Sequence, residues 1–202
     1  LKYGDGQALR AMPSLRHGLM AGESPPDGLF DEWQQATGRA LCEALGMSEI
    51  STYISSSPSV PRKPGAVGKP QPGRCVAILP EAGGETPLPT GEPGLLAVHA
   101  SDPGLMLGYW QRPIEEADVR RGEWFVGGDF ALIDEDGYVV HLGRTNDIMK
   151  AMGYRVAPQE VEAVLARHPD VGEVACAERR VREGVSIIAA YVVPSAAGSF
   201  PD

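Results

Sequence analysis

The chain has 202 residues, 43% of them hydrophobic and 22% charged, a balance that permits a sizeable buried core and excludes gross disorder. Against 27 acidic side chains stand 18 basic ones, a net charge of −9 with no Lys/Arg run longer than two, which argues against nucleic acid as an electrostatic partner. The 25 glycines and 18 prolines call for many turns and short strands and make a purely helical bundle a poor fit.

In chain order, Leu15 to Met20 predicts a short strand running into the turn Ala21-Gly22-Glu23-Ser24-Pro25-Pro26. Leu29, Trp33, Ala36, Ala40, Leu41 and Leu45 recur at three and four, which predicts a helix from Leu29 to Leu45 closed by Gly46. Residues 55–73 carry Pro58, Pro61, Pro64, Pro70 and Pro72 and read as loop. From Cys75 to Gly143 five apolar runs alternate with turns: 76–79, 94–98, 124–126, 130–133 and 138–142, the pattern of a small antiparallel sheet or distorted barrel. Past Arg144 the texture changes. Pro158 and the acids that follow it open a helix expected to reach about His168. Two strands are then expected, Val171 to Ala177 and Val185 to Val193, the second apolar enough to be central in its sheet.

Several motifs fail. Gly68-Lys69 is followed by Pro70 and lacks the first glycine of a phosphate loop. Gly46-Met47-Ser48-Glu49-Ile50 has isoleucine where a nucleophile elbow closes with glycine. Asp134-Glu135-Asp136-Gly137 reads as a hairpin turn, since the remaining ligands of a calcium loop are missing. His17, His99, His141 and His168 are scattered without metal-ligand spacing, and Cys42, Cys75 and Cys176 form neither a disulfide framework nor a zinc pattern. The longest apolar run, Ile187 to Val193, is far short of a membrane span, so no span is expected and a cytoplasmic location is.

One ordered series of segments does hold. Ala21-Gly22-Glu23, Leu45-Gly46-Met47-Ser48-Glu49, Gly65 to Gly73, Glu92 to Tyr109, Trp124-Phe-Val-Gly-Gly-Asp129, and Gly143-Arg-Thr-Asn-Asp147 through Gly153-Tyr-Arg155 to Glu162 follow one another at family-like spacing. Together they resemble the adenylate-forming, AMP-binding family of acyl- and aryl-CoA synthetases. The resemblance implies an α/β chain: residues 1–144 as the end of the large N-terminal domain, with a barrel-like part at 57–144, and residues 145–202 as part of a small α+β C-terminal domain.

It also implies a chemistry: ATP-dependent activation of a carboxylic acid as acyl-AMP and transfer to CoA. Joining a carboxylate to ATP brings two anions together, so magnesium and hydrogen-bond donors must offset their repulsion. By resemblance, Ser48 and Glu49 serve catalysis, with Glu49 the magnesium anchor. Gly22 and Glu23 line the adenine edge. Asp129 accepts the ribose hydroxyls, a task suited to a carboxylate's two oxygens, and Arg144 adds a planar cation near ribose and phosphate. Asn146 stands at the hinge, Gly153 lets the pantetheine arm pass, and Arg155 meets CoA phosphates.

Read by themselves, Ser48 is a helix cap, Asp129 and Gly153 are turn residues, and Arg144 and Arg155 are surface cations. Departures from the family are Leu45 for an aromatic, Gly127 for a threonine and Asn146 for an aspartate. The chain starts at Leu1, before which the family's phosphate loop would lie, and reaches Asp202 without its closing lysine segment. It is therefore read as an internal fragment, not expected to adenylate efficiently by itself. Loading of a carrier protein, or a non-catalytic nucleotide-binding or interaction module of the same fold, stays open beside CoA ligation. So does a homodimer.

Overall fold

The computed structural model describes residues 11–22, 28–151, 154–182 and 185–195, with Arg155 placed by its backbone. The chain divides into two compact units, Leu1–Gly127 with Leu132–His141, and Gly128–Ala131 with Leu142–Asp202.

The first unit opens with β1 (His17–Ala21), α1 (Leu29–Thr37) and β2 (Ala40–Met47). Strands β1 and β2 pair in parallel, His17 opposite Ala40 and Ala21 opposite Ala44, so the chain must cross over between them, and α1 lies in that crossover. The helix expected to run to Leu45 stops eight residues earlier. Gly38 takes a left-handed φ of 68° and donates its N–H to the Gln34 carbonyl at 2.8 Å, while the Thr37 hydroxyl donates to the Trp33 carbonyl at 2.8 Å. Beyond Gly38 the apolar period falls from 3.6 to 2: Cys42 and Ala44 are buried and Leu41, Glu43 and Leu45 only half so. Gly46 therefore ends no helix. It sits in β2 at a register shift against β3 (Ser51–Ser55), where a Cβ would come within 2.6 Å of the Ser51 carbonyl oxygen.

A two-residue β4 (Lys69–Pro70) completes the sheet in the order β1-β2-β3-β4. The loop before β4 is tied down at Val67 and Gly68. The N–H of Val67 donates to the Val139 carbonyl at 3.0 Å, and the N–H of Val139 donates back to Gly68 at 2.8 Å. Side chains from these strands and their neighbours form the core: Ile50, Tyr53, Ile54, Leu79, Leu96, Val98, Phe125 and Val139 are all fully buried.

A five-stranded sheet follows, built from β5 (Val76–Leu79), β6 (Gly94–His99), β7 (Arg120–Arg121), β8 (Trp124–Ile133) and β9 (Val139–Arg144), in the order β5-β6-β8-β7 with β9 also on β8. A short helix, α2 (Pro113–Asp118), precedes β7. The runs 124–126 and 130–133, expected as two strands, are one strand of ten residues that runs on through Gly127 and Gly128, the latter at a positive φ of 84° that glycine adopts without strain. That length lets β8 pair with three neighbours. The α/β class and the small antiparallel sheet expected from the sequence are both present.

In the second unit, β10 (Met149–Ala151) and β11 (Tyr154–Val156) pair antiparallel, Lys150 opposite Arg155. Next comes α3 (Pro158–Leu165), with proline in its first turn and the Glu160 carboxylate accepting the Ala157 N–H at 3.3 Å. It packs on β12 (Val171–Arg182), which pairs antiparallel with β13 (Val185–Pro194). Strand β13 is not central, as its apolar run had suggested. Among the described residues it pairs with β12 alone, and Tyr191 and Val193 are more than half exposed.

Candidate functional site

In the first unit Ser48, Glu49 and Ile50 form the turn between β2 and β3. No helix starts here, so Ser48 is not a helix cap; it is exposed, while Ile50 is driven fully into the core and anchors the turn. Glu49 between them is half-buried and held from outside its own strand pair. Its backbone carbonyl accepts the Met106 N–H at 2.6 Å, and its Oε1 accepts the Tyr109 hydroxyl at 2.7 Å. That hydrogen bond, then the tyrosine's partial burial, then the negative charges of Glu49 and Glu116, push the phenol up to about 12, so Tyr109 is a standing donor.

Tyr109 is fixed in turn. Its N–H donates to Glu116 Oε2 at 2.9 Å, and Arg120 Nε donates to Glu116 Oε1 at 2.7 Å. These two contacts, the backbone N–H first, hold the Glu116 carboxyl below the ordinary range. At the other end of the same segment lies Asp102, with a fully buried side chain. It accepts Arg74 Nη1 at 2.6 Å and the Gly104 N–H at 2.8 Å on Oδ1, and the Cys75 N–H at 3.4 Å on Oδ2. Arg74 also donates to the Thr52 carbonyl at 3.2 Å. Sequence reasoning missed Arg74, Asp102 and the role of Tyr109: each is a lone polar residue whose partner lies many positions away.

Gly22 closes β1 just after Ala21, and Glu23 lies outside the described residues. Gly127 stands where the resemblance expects threonine, and the space is taken: a Cβ there would lie 2.6 Å from Met47 Sδ.

In the second unit Asp129, on β8, is buried and accepts Arg144 Nη1, from the end of β9, at 3.3 Å. The two residues that the resemblance assigns to the ribose are thus adjacent. Directly after Arg144 the chain turns: the Thr145 N–H donates to the Gly128 carbonyl at 2.8 Å, and the Asp147 N–H to the Arg144 carbonyl at 2.9 Å. Asn146 is exposed on that turn. Arg155 lies on β11, and Gly153 lies outside the described residues. A cavity of about 430 Å³ in this unit is lined by Asn146, Asp147, Glu162, Cys176 and Glu178. Its carboxylates make it unsuited to a phosphate. Burial first, and then the Glu162 charge, push the Cys176 thiol up, away from nucleophilic character.

A model of the AMP-binding enzyme family matches residues 2–110. The chain belongs to the AMP-binding enzyme family. It is 32% identical over 194 residues to a 3-hydroxybenzoate–CoA ligase of Aromatoleum sp. (strain CIB), covering 96% of this chain and 36% of the ligase. Among solved structures it resembles ATP-bound MatB from Rhodopseudomonas palustris (30% identity, TM-score 0.81, covering 91% of this chain and 36% of MatB). It also resembles the o-succinylbenzoate CoA synthetase MenE of Bacillus subtilis in complex with its acyl-adenylate (26% identity, TM-score 0.78, 93% and 38%). The chain thus spans little more than a third of the length of these relatives. Among the described residues no helix is long and apolar enough to cross a membrane.

A magnesium ion, which the family implies, fits what is present at Glu49. Among the described residues no cluster of three or more His, Cys, Asp or Glu could cage a metal, which rules against a zinc-type site there. Magnesium needs less protein, one or two carboxylates beside substrate phosphates and water. Glu49 Oε1 accepts the Tyr109 hydroxyl, and Oε2 would be the oxygen offered to such an ion.

Proposed function

We propose that the chain supplies nucleotide-handling parts of an ATP-dependent acid–CoA ligase, which activates a carboxylic acid as acyl-AMP and passes the acyl group to CoA. The observation that carries this reading is the buried Asp129 carboxylate braced by Arg144 at the root of the turn containing Asn146. A buried carboxylate is costly unless paired and hydrogen-bonded. Arg144 supplies the paired charge, and the two oxygens of the carboxylate suit the two hydroxyls of a ribose, both of them donors.

The other residues of the family-like segments have tasks as well. Gly22 and Glu23 border the adenine, and Ser48 offers its exposed hydroxyl to a phosphate oxygen. Glu49 holds magnesium, which when bound would offset the negative charge that otherwise repels the incoming carboxylate. Asn146 is the pivot residue, and Gly153 and Arg155 receive CoA. We place the acid in the aromatic or short-to-medium class, as the resemblance to a 3-hydroxybenzoate–CoA ligase supports.

Isothermal calorimetry with AMP tests the reading. Loss of hydrogen bonds to a charged group, worth about 1.5–3 kcal/mol, should weaken AMP binding by Asp129→Ala at least tenfold. Equal AMP affinity in wild type and Asp129→Ala would refute it.

A further inference from the structure

We infer that Tyr109 is the positioning residue of Glu49, orienting its carboxylate so that the free oxygen faces the nucleotide-bound cation. The inference rests on the function proposed above and adds a residue to it. The tyrosine hydroxyl donates to Oε1 at 2.7 Å, which leaves Oε2 and fixes the plane of the carboxylate. Met106 holds the backbone of the same residue, with its N–H 2.6 Å from the Glu49 carbonyl oxygen, so Glu49 is held at its backbone as well as at its carboxylate. The backbone of Tyr109 is itself secured through its N–H on Glu116, and Glu116 through Arg120, so the position from which the hydroxyl is presented is fixed. Carboxylates that bind metals are commonly oriented by such outer hydrogen bonds, whose loss weakens the metal about 10- to 100-fold.

The test uses the full 202-residue chain and measures ATP affinity by calorimetry twice, with magnesium chloride and with EDTA. The ratio of the two affinities isolates the contribution of the cation. In Tyr109→Phe the magnesium enhancement should fall about tenfold while the metal-free ATP affinity stays put, and in the Glu49→Gln background the same change should do nothing further. A merely structural tyrosine would shift both affinities together. As an independent readout, a 3-fluorotyrosine at position 109 should change its fluorine NMR shift when magnesium and ATP are added, but not with ATP in EDTA.

If magnesium strengthens ATP binding equally in wild type and Tyr109→Phe, or if the loss persists undiminished in Glu49→Gln, the positioning role is overturned and the nucleotide reading survives. If neither protein binds ATP, the nucleotide reading falls and takes this inference with it.

Discussion

Replacing Asp102 with asparagine keeps the shape of the side chain and removes its charge, which makes it a sharp probe of the segment that reaches Glu49. The carboxylate is fully buried and Arg74 nearly so, 2.6 Å apart. Asparagine can present its one carbonyl oxygen where Oδ1 stood, keeping Arg74 and Gly104, but its amide then faces the Cys75 N–H, donor against donor. Breaking a buried ion pair from one side costs about 3–5 kcal/mol because a desolvated charge is left without its partner. At about 2–4 °C per kcal/mol for a chain of this size, the low end of that range lowers the melting midpoint by about 6–12 °C. Circular dichroism of wild type and Asp102→Asn reads it directly.

The effect must also depend on pH in a stated direction. Burial alone would raise the Asp102 carboxyl, but the Gly104 N–H, Arg74 and the Cys75 N–H together bring it below its ordinary value. A carboxyl lowered in the folded state stabilises fully above the unfolded value near 3.9, and the stabilisation disappears as pH falls through the folded value. The gap between the two proteins should therefore be constant from pH 7 to 5 and close below about pH 4. A gap of less than about 1 kcal/mol at pH 7, or one that closes between pH 8 and 5, would refute this account.

Two further substitutions test the packing around the site, beside Asp129→Ala and Tyr109→Phe above. Gly68→Ala should cost at least about 2 kcal/mol in urea unfolding, because its Cβ would overlap the backbone of Ser55 and Ser56, where nothing flexible can yield. Gly127→Thr, which restores the family residue, should destabilise through Met47 Sδ, and Met47→Ala should recover most of the loss, with a coupling of about 0.5–3 kcal/mol in the double-mutant cycle.

How far the sequence reveals these features depends on the distance between partners. Strands 76–79 and 94–99, the proline-led α3 and the chain's α/β character rest on local pattern and are legible as such. The stretch from Leu29 to Leu45 misleads because Ala40, Leu41 and Leu45 happen to continue the helical spacing across Gly38, while the strand alternation at Cys42 and Ala44 is only two residues long. The apolar run of β13 misleads differently: hydrophobicity reports a preference for burial and not how many neighbours a strand has. Glu49, Asp129 and Arg144 could be singled out only because they stand in family-like segments. Tyr109 is 60 positions from Glu49, and Asp102 is 28 from Arg74, so no window along the chain joins them.

Those long-range pairs explain how a short turn could carry the carboxylate proposed to hold magnesium. A glutamate on a loop loses much rotamer freedom when it is fixed, and a turn of three residues offers few groups to oppose that loss. The only deep local anchor at Ser48–Ile50 is Ile50, whose side chain points into the core and leaves Glu49 outward. The opposing free energy comes instead from the segment between Asp102 and Tyr109. Asp102 fastens its start to Arg74 and to the backbone before β5, and Glu116 with Arg120 fastens its end beside α2. Between these two charged anchors Met106 and Tyr109 are presented to Glu49 as ready-made donors. The segment that supplies both donors to Glu49 is thus anchored by two ion pairs that never touch it, so on the proposed role charge placement far from the turn would set what the turn can hold.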